Sequence, residues 1–212
     1  MLLPVSDGVV QGVLHLPESR SGDGLVLTHG AGANHQAPVL VAVATAFERL
    51  GFVVLRFDLP FRQKRPHGPP PRGSAEEDQQ GLRQAAAFLR TQAANRIFLG
   101  GHSYGGRQAS MLAASQPEIA AALLLLSYPL HPPDRPTQMR TAHFPDLRTP
   151  ALFVHGKRDG FCTHEELVEA TRLVPARTEI LEIEAAGHEL LSKRNADALP
   201  ALIANSFQRF IG

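Results

Sequence analysis

The chain has 212 residues and a formal net charge of +1, with 21 basic and 20 acidic residues. This balance provides no field strong enough to gather nucleic acid or an acidic membrane surface, so we expect neither partner. With 43% hydrophobic and 19% charged residues, the chain can bury a core of its own, and its length fits a single domain over residues 1–212.

The cysteine content and the apolar runs narrow the class of protein further. One cysteine, Cys162, excludes an internal disulfide framework and a cysteine-based zinc site, since both need several thiols. Residues Met1 to Asp7 lack a basic flank followed by a long apolar stretch, and no window approaches the roughly 18 apolar residues of a membrane helix. We expect a cytoplasmic protein that needs no metal or cofactor. The sequence leaves open whether it forms a homodimer.

Short apolar runs alternate with longer helical segments, which predicts an α/β fold with a mostly parallel sheet covered by helices on both faces. The predicted strands are Val9–Leu16, Leu25–His29, Val53–Asp58, Ile97–Gly100, Ala122–Ser127, Ala151–His155 and Glu179–Ile183. The predicted amphipathic helices are Pro38–Leu50, Glu76–Gln92, Gly105–Ala114, Glu165–Leu173 and Ala196–Phe210, which carry Ala, Leu, Glu, Arg and Gln at suitable spacings.

Two proline-rich stretches interrupt this alternation. Pro60–Gly73 holds five prolines and four basic residues, and Tyr128–Pro150 holds six prolines, so neither is regular throughout. We interpret the first stretch as a surface loop. The second follows a strand beside the candidate nucleophile strand, where such sheets bind ligands. The sequence leaves open whether it is a short cap or a solvated loop.

Residues 97–106 read Ile-Phe-Leu-Gly-Gly-His-Ser-Tyr-Gly-Gly, a predicted strand, a glycine-flanked serine and the start of a predicted helix. This is the G-x-S-x-G pattern of a nucleophile elbow in its required context. The strained strand-to-helix turn needs small neighbours so that the backbone can pass close by. The helix N-terminus then points its positive end at the serine oxygen. Ser103 is therefore the predicted nucleophile, and an ordinary Gly-Ser turn is the alternative.

A serine hydroxyl needs a base and a third group that orients the base. In α/β folds with a nucleophile elbow, the three catalytic residues follow along the chain in the order Ser, then Asp or Glu, then His. Asp159 follows the predicted strand 151–155, and His188 follows the strand 179–183, so both fall at the same edge of the sheet as Ser103. Among the ten histidines, His155 lies in a strand end and His164 precedes a helix. We predict His188 as the base and Asp159 as its partner.

A tetrahedral oxyanion needs preorganised N–H donors. One is expected from the amide of Tyr104, directly after the nucleophile, and the other from the glycine-rich loop His29–Asn34, with Ala31 as our choice and Gly32 beside it. This loop lacks the G-x-G-x-x-G spacing and the lysine of a phosphate-binding loop. A small acyl compound is the expected partner.

Four segments carry a resemblance to a known group: Thr28–Ala33, Phe57–Arg62, Gly101–Arg107 and Tyr128–Pro133. They resemble the α/β-hydrolase superfamily and, within it, a small and nearly lidless dienelactone-hydrolase-like group related to a subunit of a histone-acetyltransferase complex. The resemblance implies the α/β-hydrolase fold with a minimal cap. Dienelactone hydrolases proper have cysteine at the elbow, so lactone hydrolysis by a thiolate does not carry over to Ser103.

Residues that bind the substrate are harder to predict than the triad. We assign Gly32, His102 and His131 to substrate binding, while Tyr128, Arg140 and His143 either line the pocket or are solvated loop residues. Arg62 either contacts an acidic substrate or holds a loop, and we favour the loop. The sequence thus predicts a serine esterase, with a non-catalytic interaction module as the alternative.

Overall fold

The computed structural model describes residues 1–8, 10–93 and 95–212. In these residues eight strands form one sheet: β1 (Leu2–Asp7), β2 (Val10–His15), β3 (Gly24–Thr28), β4 (Val53–Phe57), β5 (Ile97–His102), β6 (Leu123–Leu126), β7 (Ala151–Gly156) and β8 (Thr178–Ile183). Their order across the sheet is β1-β2-β4-β3-β5-β6-β7-β8. Strand β2 is antiparallel to both of its neighbours, and β3 to β8 run parallel.

The described helices are α1 (Pro38–Arg49), α2 (Pro60–Lys64), α3 (Ala75–Arg90), α4 (Tyr104–Ser115), α5 (His164–Thr171) and α6 (Leu199–Ile211). Helices α1 and α6 bury Phe47 and Phe207 on one face of the sheet. Helices α3, α4 and α5 bury Leu89, Leu112 and Leu167 on the other face. Alternate residues of the central strands enter the two cores, as expected for a sheet covered on both sides.

The predicted fold class is confirmed, and each predicted strand and helix has a counterpart with shifted bounds. Val9, the first residue of the predicted strand Val9–Leu16, lies outside the described residues. Strand β1 was not predicted because five of its six residues are exposed, so no apolar alternation marks it. Helix α2 falls in the stretch interpreted as a loop. Its proline is the first helical residue, Pro60, where the missing N–H costs no helical hydrogen bond.

The proline-rich segment 128–150 contains no α-helix and only a short 3-10 turn at Phe144–Asp146. Tyr128, Leu130 and Phe144 of this segment are buried in the core on the side of α3 and α4. The segment is therefore an irregular layer packed on the domain and not a large cap. None of the described helices is long and apolar enough to cross a membrane.

Candidate active site

The backbone at Ser103 has the geometry of a nucleophile elbow. Strand β5 ends at His102 and helix α4 begins one residue after Ser103, which has a φ of 50° and a ψ of −114°. A positive φ of this kind costs a non-glycine residue about 1–3 kcal/mol. A Cβ atom on Gly101 would lie 2.8 Å from the backbone of Gly105. One on Gly105 would lie 2.7 Å from the carbonyl oxygen of His29. The flanking glycines therefore allow the close approach that the turn requires.

The structure brings the three side chains of the predicted triad together. The Nε2 atom of His188 lies 2.8 Å from the Oγ of Ser103. Its Nδ1 atom lies 2.8 Å and 3.0 Å from the two carboxylate oxygens of Asp159. Because an ionised carboxylate only accepts hydrogen bonds, Nδ1 carries the proton and Nε2 is free to accept the hydroxyl proton. The side chain of Asp159 is 0% exposed and that of His188 is 20% exposed, so the base is open to a reactant while the carboxylate is shielded from water.

Phe161 is a neighbour of this triad that sequence reasoning did not identify. Its ring stacks on the imidazole of His188, with the ring centres 4.1 Å apart and the planes at 30°. Its backbone N–H donates to Asp159 Oδ1 at 2.8 Å. One residue thus holds both the carboxylate and the imidazole. A phenylalanine two positions after a loop aspartate carries no recognisable pattern, so only the fold reveals this role.

His102 is a neighbour of His188, with the centres of the two rings 5.2 Å apart. Its side chain is buried, and its Nε2–H donates to the backbone carbonyl of His188 at 2.8 Å. Burial lowers the pKa of His102, while the hydrogen bond to that carbonyl acts in the opposite direction. The neutral ring therefore ties the loop of the base to the strand of the candidate nucleophile. Its predicted role was substrate binding; the contact observed is to the backbone of the base.

The glycine-rich loop after β3 runs beside Ser103. A Cβ atom on Gly30 would lie 3.5 Å from the Cβ of Ser103, so the backbone of this loop passes next to the side chain of Ser103. Ala31 is half-buried and Gly32 is exposed. Tyr104 is the first residue of α4, and its amide has no acceptor within the helix. The loop and the N-terminus of α4 thus both adjoin Ser103.

Arg62 holds this loop from α2. Its guanidinium donates to the carbonyl oxygens of Ala31 and Ala33, each at 2.7 Å. It also donates to those of Arg65 and Gly68, each at 2.9 Å. Arg62 is 5% exposed. Of the two interpretations that the sequence allowed, holding the loop is therefore the correct one.

His29 fixes the same loop from its start. Its Nδ1–H donates to the carbonyl of Gly30 at 2.8 Å, and its Nε2 accepts the amide of Leu59 at 3.1 Å. Burial lowers the pKa of His29 to about 4, so the ring is neutral near pH 7. With both ring nitrogens occupied, His29 is a structural residue.

The side chain of Tyr104 points away from the triad toward α3. Its hydroxyl donates to Asp78 Oδ2 at 2.7 Å, and Asp78 Oδ1 accepts the amide of Phe61 at 3.0 Å. Burial raises the pKa of both Tyr104 and Asp78. Asp78 therefore joins α2 to the first turn of α4.

The other residues assigned to binding lie in or near segment 128–150. His131 is 5% exposed, and its Nε2 lies 3.2 Å from a carboxylate oxygen of Glu166. Its backbone amide donates to the carbonyl of Phe161 at 3.1 Å. The imidazole of His143 lies 2.8 Å from Ser110 Oγ. The hydroxyl of Tyr128 donates to a carbonyl of the same segment at 2.9 Å.

The environments of Cys162, His155 and His164 argue against a role for them as nucleophile or base. Cys162 is 2% exposed, and burial raises the pKa of its thiol to about 12, so it is a poor nucleophile, as predicted. His155 is buried in β7, and His164 pairs with Glu182 at 2.7 Å. No group of three or more His, Cys, Asp or Glu side chains in the described part of the chain could hold a metal ion.

Several solved structures share this fold. A dienelactone hydrolase from Anabaena variabilis shares 21% identity, covers 99% of this chain and 97% of its own, and has a TM-score of 0.75. XC6422 from Xanthomonas campestris, described as an α/β serine hydrolase without lid, shares 18% identity over 99% of this chain and 94% of its own, with a TM-score of 0.75. Est1E from Butyrivibrio proteoclasticus shares 15% identity, covers 99% of this chain and 98% of its own, and has a TM-score of 0.76. At these identities the likeness concerns the fold.

The sequence model of one family covers most of the chain. The model of the alpha/beta-hydrolase domain matches residues 22–209, a range that includes Ser103, Asp159 and His188. The chain therefore belongs to the alpha/beta-hydrolase domain family.

Proposed function

We propose that this protein is a serine hydrolase that cleaves a small ester or related acyl substrate through an acyl-enzyme. The observation that carries the proposal is the continuous chain of contacts from Asp159 through His188 to Ser103. A scaffold protein has no need for a strained serine aligned with a base and a buried carboxylate. The names of the neighbouring structures, which include a dienelactone hydrolase and a serine hydrolase without lid, agree with this chemistry.

The reaction follows from the positions of these groups. His188 Nε2 accepts the proton as Ser103 Oγ attacks the acyl carbon, and Asp159 stabilises the resulting imidazolium. The amides of Tyr104 and Ala31 bind the negative oxygen of the tetrahedral intermediate, a contribution of about 3–4 kcal/mol for each donor. The imidazolium then donates its proton to the leaving alcohol. Water, activated by His188, finally hydrolyses the acyl-enzyme.

The arrangement favours a small substrate. Segment 128–150 has no α-helical lid, and His188 is 20% exposed, so the reacting groups are reached directly from the surface. A large hydrophobic chamber of the kind that lipases use for long acyl chains is not built by this segment. Carboxylic esters with short acyl chains are therefore the proposed substrate class.

Labelling with a fluorophosphonate probe tests the proposal directly. We expect one label at Ser103 in the folded wild type and none in the S103A variant. The matched control is S115A, which changes an exposed serine of the same helix and should label normally. Activity on p-nitrophenyl acetate should be lost in S103A alone. Folded protein that neither labels nor hydrolyses short esters would instead favour a non-catalytic interaction module.

A further inference from the structure

Two arginines near the candidate site lack an acidic partner. Arg107 lies in α4, where its backbone amide donates to the carbonyl of Ser103 at 3.0 Å, so its side chain begins one helical turn after the candidate nucleophile. Arg140 belongs to segment 128–150. Neither arginine takes part in any ion pair among the described residues. Arg140 donates to the backbone carbonyl of Pro129 at 3.3 Å, an acceptor without a net charge. Both half-buried cations therefore lack a counter-ion among these residues, which is unfavourable for a charge removed from water.

The groups on which the charge of Arg107 acts are neutral or positive, and the carboxyl group of Asp78 meets this cluster through the hydroxyl of Tyr104. Its charge acts on Tyr104, Tyr128, Arg140 and His143. Burial, followed by the charge of Arg107, lowers the pKa of His143 to about 4, and burial raises that of Tyr128. Near pH 7 the cluster therefore contains two fixed positive charges, two phenols and a neutral imidazole. An anion between the arginines would meet no repulsion from these neighbours.

The hydrogen-bonding state of Arg107 points the same way. Its Nε–H is buried, and no acceptor in the described residues reaches it. Arg62 offers a direct comparison, because each of its three guanidinium nitrogens donates to at least one backbone carbonyl. The fold thus gives every guanidinium nitrogen of Arg62 an acceptor and leaves the Nε–H of Arg107 without one among the described residues. Unpaired buried donors are rare in folded proteins.

We propose that Arg107 and Arg140 form a subsite for a carboxylate carried on the acyl chain of the substrate. The guanidinium fork presents paired donors that match the two oxygens of a carboxylate. One helical turn, about 5.4 Å, separates the backbone of Arg107 from that of Ser103, which suits an acyl chain with a few carbons between its two carboxyl groups. The inference rests on the proposed hydrolase function and names its substrate class.

The test compares two esters of equal chain length. Mono-p-nitrophenyl glutarate carries a terminal carboxylate, and p-nitrophenyl pentanoate carries a methyl group in its place; spontaneous hydrolysis is subtracted for both. We expect a higher kcat/KM for the glutarate ester in the wild type. Because a hydrogen bond to a charged group is worth about 1.5–3 kcal/mol, R107Q and R140Q should each lower the glutarate-to-pentanoate ratio by about 10-fold or more. R135Q, which removes an exposed arginine of the same segment, should leave the ratio unchanged.

A binding measurement separates this proposal from the proposed function. Sodium glutarate should raise the melting temperature of S103A, which cannot react, and should not raise that of S103A combined with R107Q. Pentanoate hydrolysis without any preference for glutarate would overturn the carboxylate subsite and leave the hydrolase proposal standing. Loss of both ester activities equally in a folded R107Q variant would also overturn it. Absence of turnover and of probe labelling would reject the hydrolase function itself.

Discussion

Arg62 provides a strong test of how the oxyanion loop is held. The substitution Arg62→Met keeps a long apolar stem but removes all four hydrogen bonds to backbone carbonyls. Two of those carbonyls, of Ala31 and Ala33, belong to the loop that we propose as the source of the second oxyanion donor. Without them the amide of Ala31 loses its fixed position. Arg62→Lys is the matched comparison, because it retains the charge but not the planar fork.

The expected magnitudes follow from these contacts. Hydrogen bonds to a charged group contribute about 1.5–3 kcal/mol each when buried. Water can reach the half-exposed loop carbonyls and replace part of this energy, so we expect a total loss of about 2–4 kcal/mol in the free energy of unfolding. For a protein of this length that corresponds to roughly 5–15 °C in melting temperature. Misplacing one oxyanion donor costs about 3 kcal/mol of transition-state stabilisation, or about 100-fold in kcat.

The assay uses short p-nitrophenyl esters at a temperature where each variant is folded, checked by circular dichroism. Arg62→Met should lower kcat by about 100-fold with a much smaller change in KM, since the oxyanion forms only in the transition state. Arg62→Lys should fall between Arg62→Met and the wild type. A folded Arg62→Met variant with wild-type kcat would show that Arg62 does not hold the oxyanion donor, whatever its effect on stability.

Three further outcomes test neighbouring residues. His102→Phe should lower kcat/KM by about 10-fold through loss of one hydrogen bond to His188. His102→Gln, which keeps an N–H donor, should retain most of the wild-type kcat/KM. Equal losses in the two variants would contradict a positioning role. Cys162, whose thiol pKa is raised to about 12 by burial, should resist iodoacetamide at pH 8 in the folded protein and react fully in urea; rapid labelling of the native state would contradict this. The pKa of His29 is lowered from 6.5 to about 4, so the unfolded chain gains this proton before the folded protein does. The free energy of unfolding should therefore fall as pH decreases from about 6.5 toward 4, by up to about 1.4 kcal/mol per pH unit from this group. Urea unfolding measured at several pH values should show a weaker pH dependence of this free energy in His29→Asn. An unchanged pH dependence in the variant would refute the assignment.

Some elements of the fold have a clear pattern in the sequence, and others do not. Buried central strands are continuous apolar runs, as in β6, so their pattern is clear in the sequence. Strand β1 is mostly exposed, and nothing in its side chains distinguishes it from a loop. Helix α2 lies among prolines, and only the position of Pro60 at its first residue explains how a helix forms there. The sequence also offers a capping box at Thr163, a signal that could have fixed the start of α5.

The order of Ser103, Asp159 and His188 along the chain was enough to predict that they meet, because parallel strands deliver their following loops to one edge of the sheet. The residues that hold them were not predictable in the same way. Phe161 and His102 act through a ring stack and a bond to a backbone carbonyl, which depend on distances between loops and leave no spacing in the sequence.

The strained backbone at Ser103 has an evolutionary consequence. A glycine at this position would adopt the same φ of 50° without the steric penalty of about 1–3 kcal/mol, a gain reduced by the roughly 0.5–1 kcal/mol of extra chain entropy that glycine loses on folding. A lineage relieved of selection for turnover can therefore accept glycine there without loss of stability. Comparing the residue at this single position in homologous proteins would then help to distinguish active members from inactive ones before any substrate is identified.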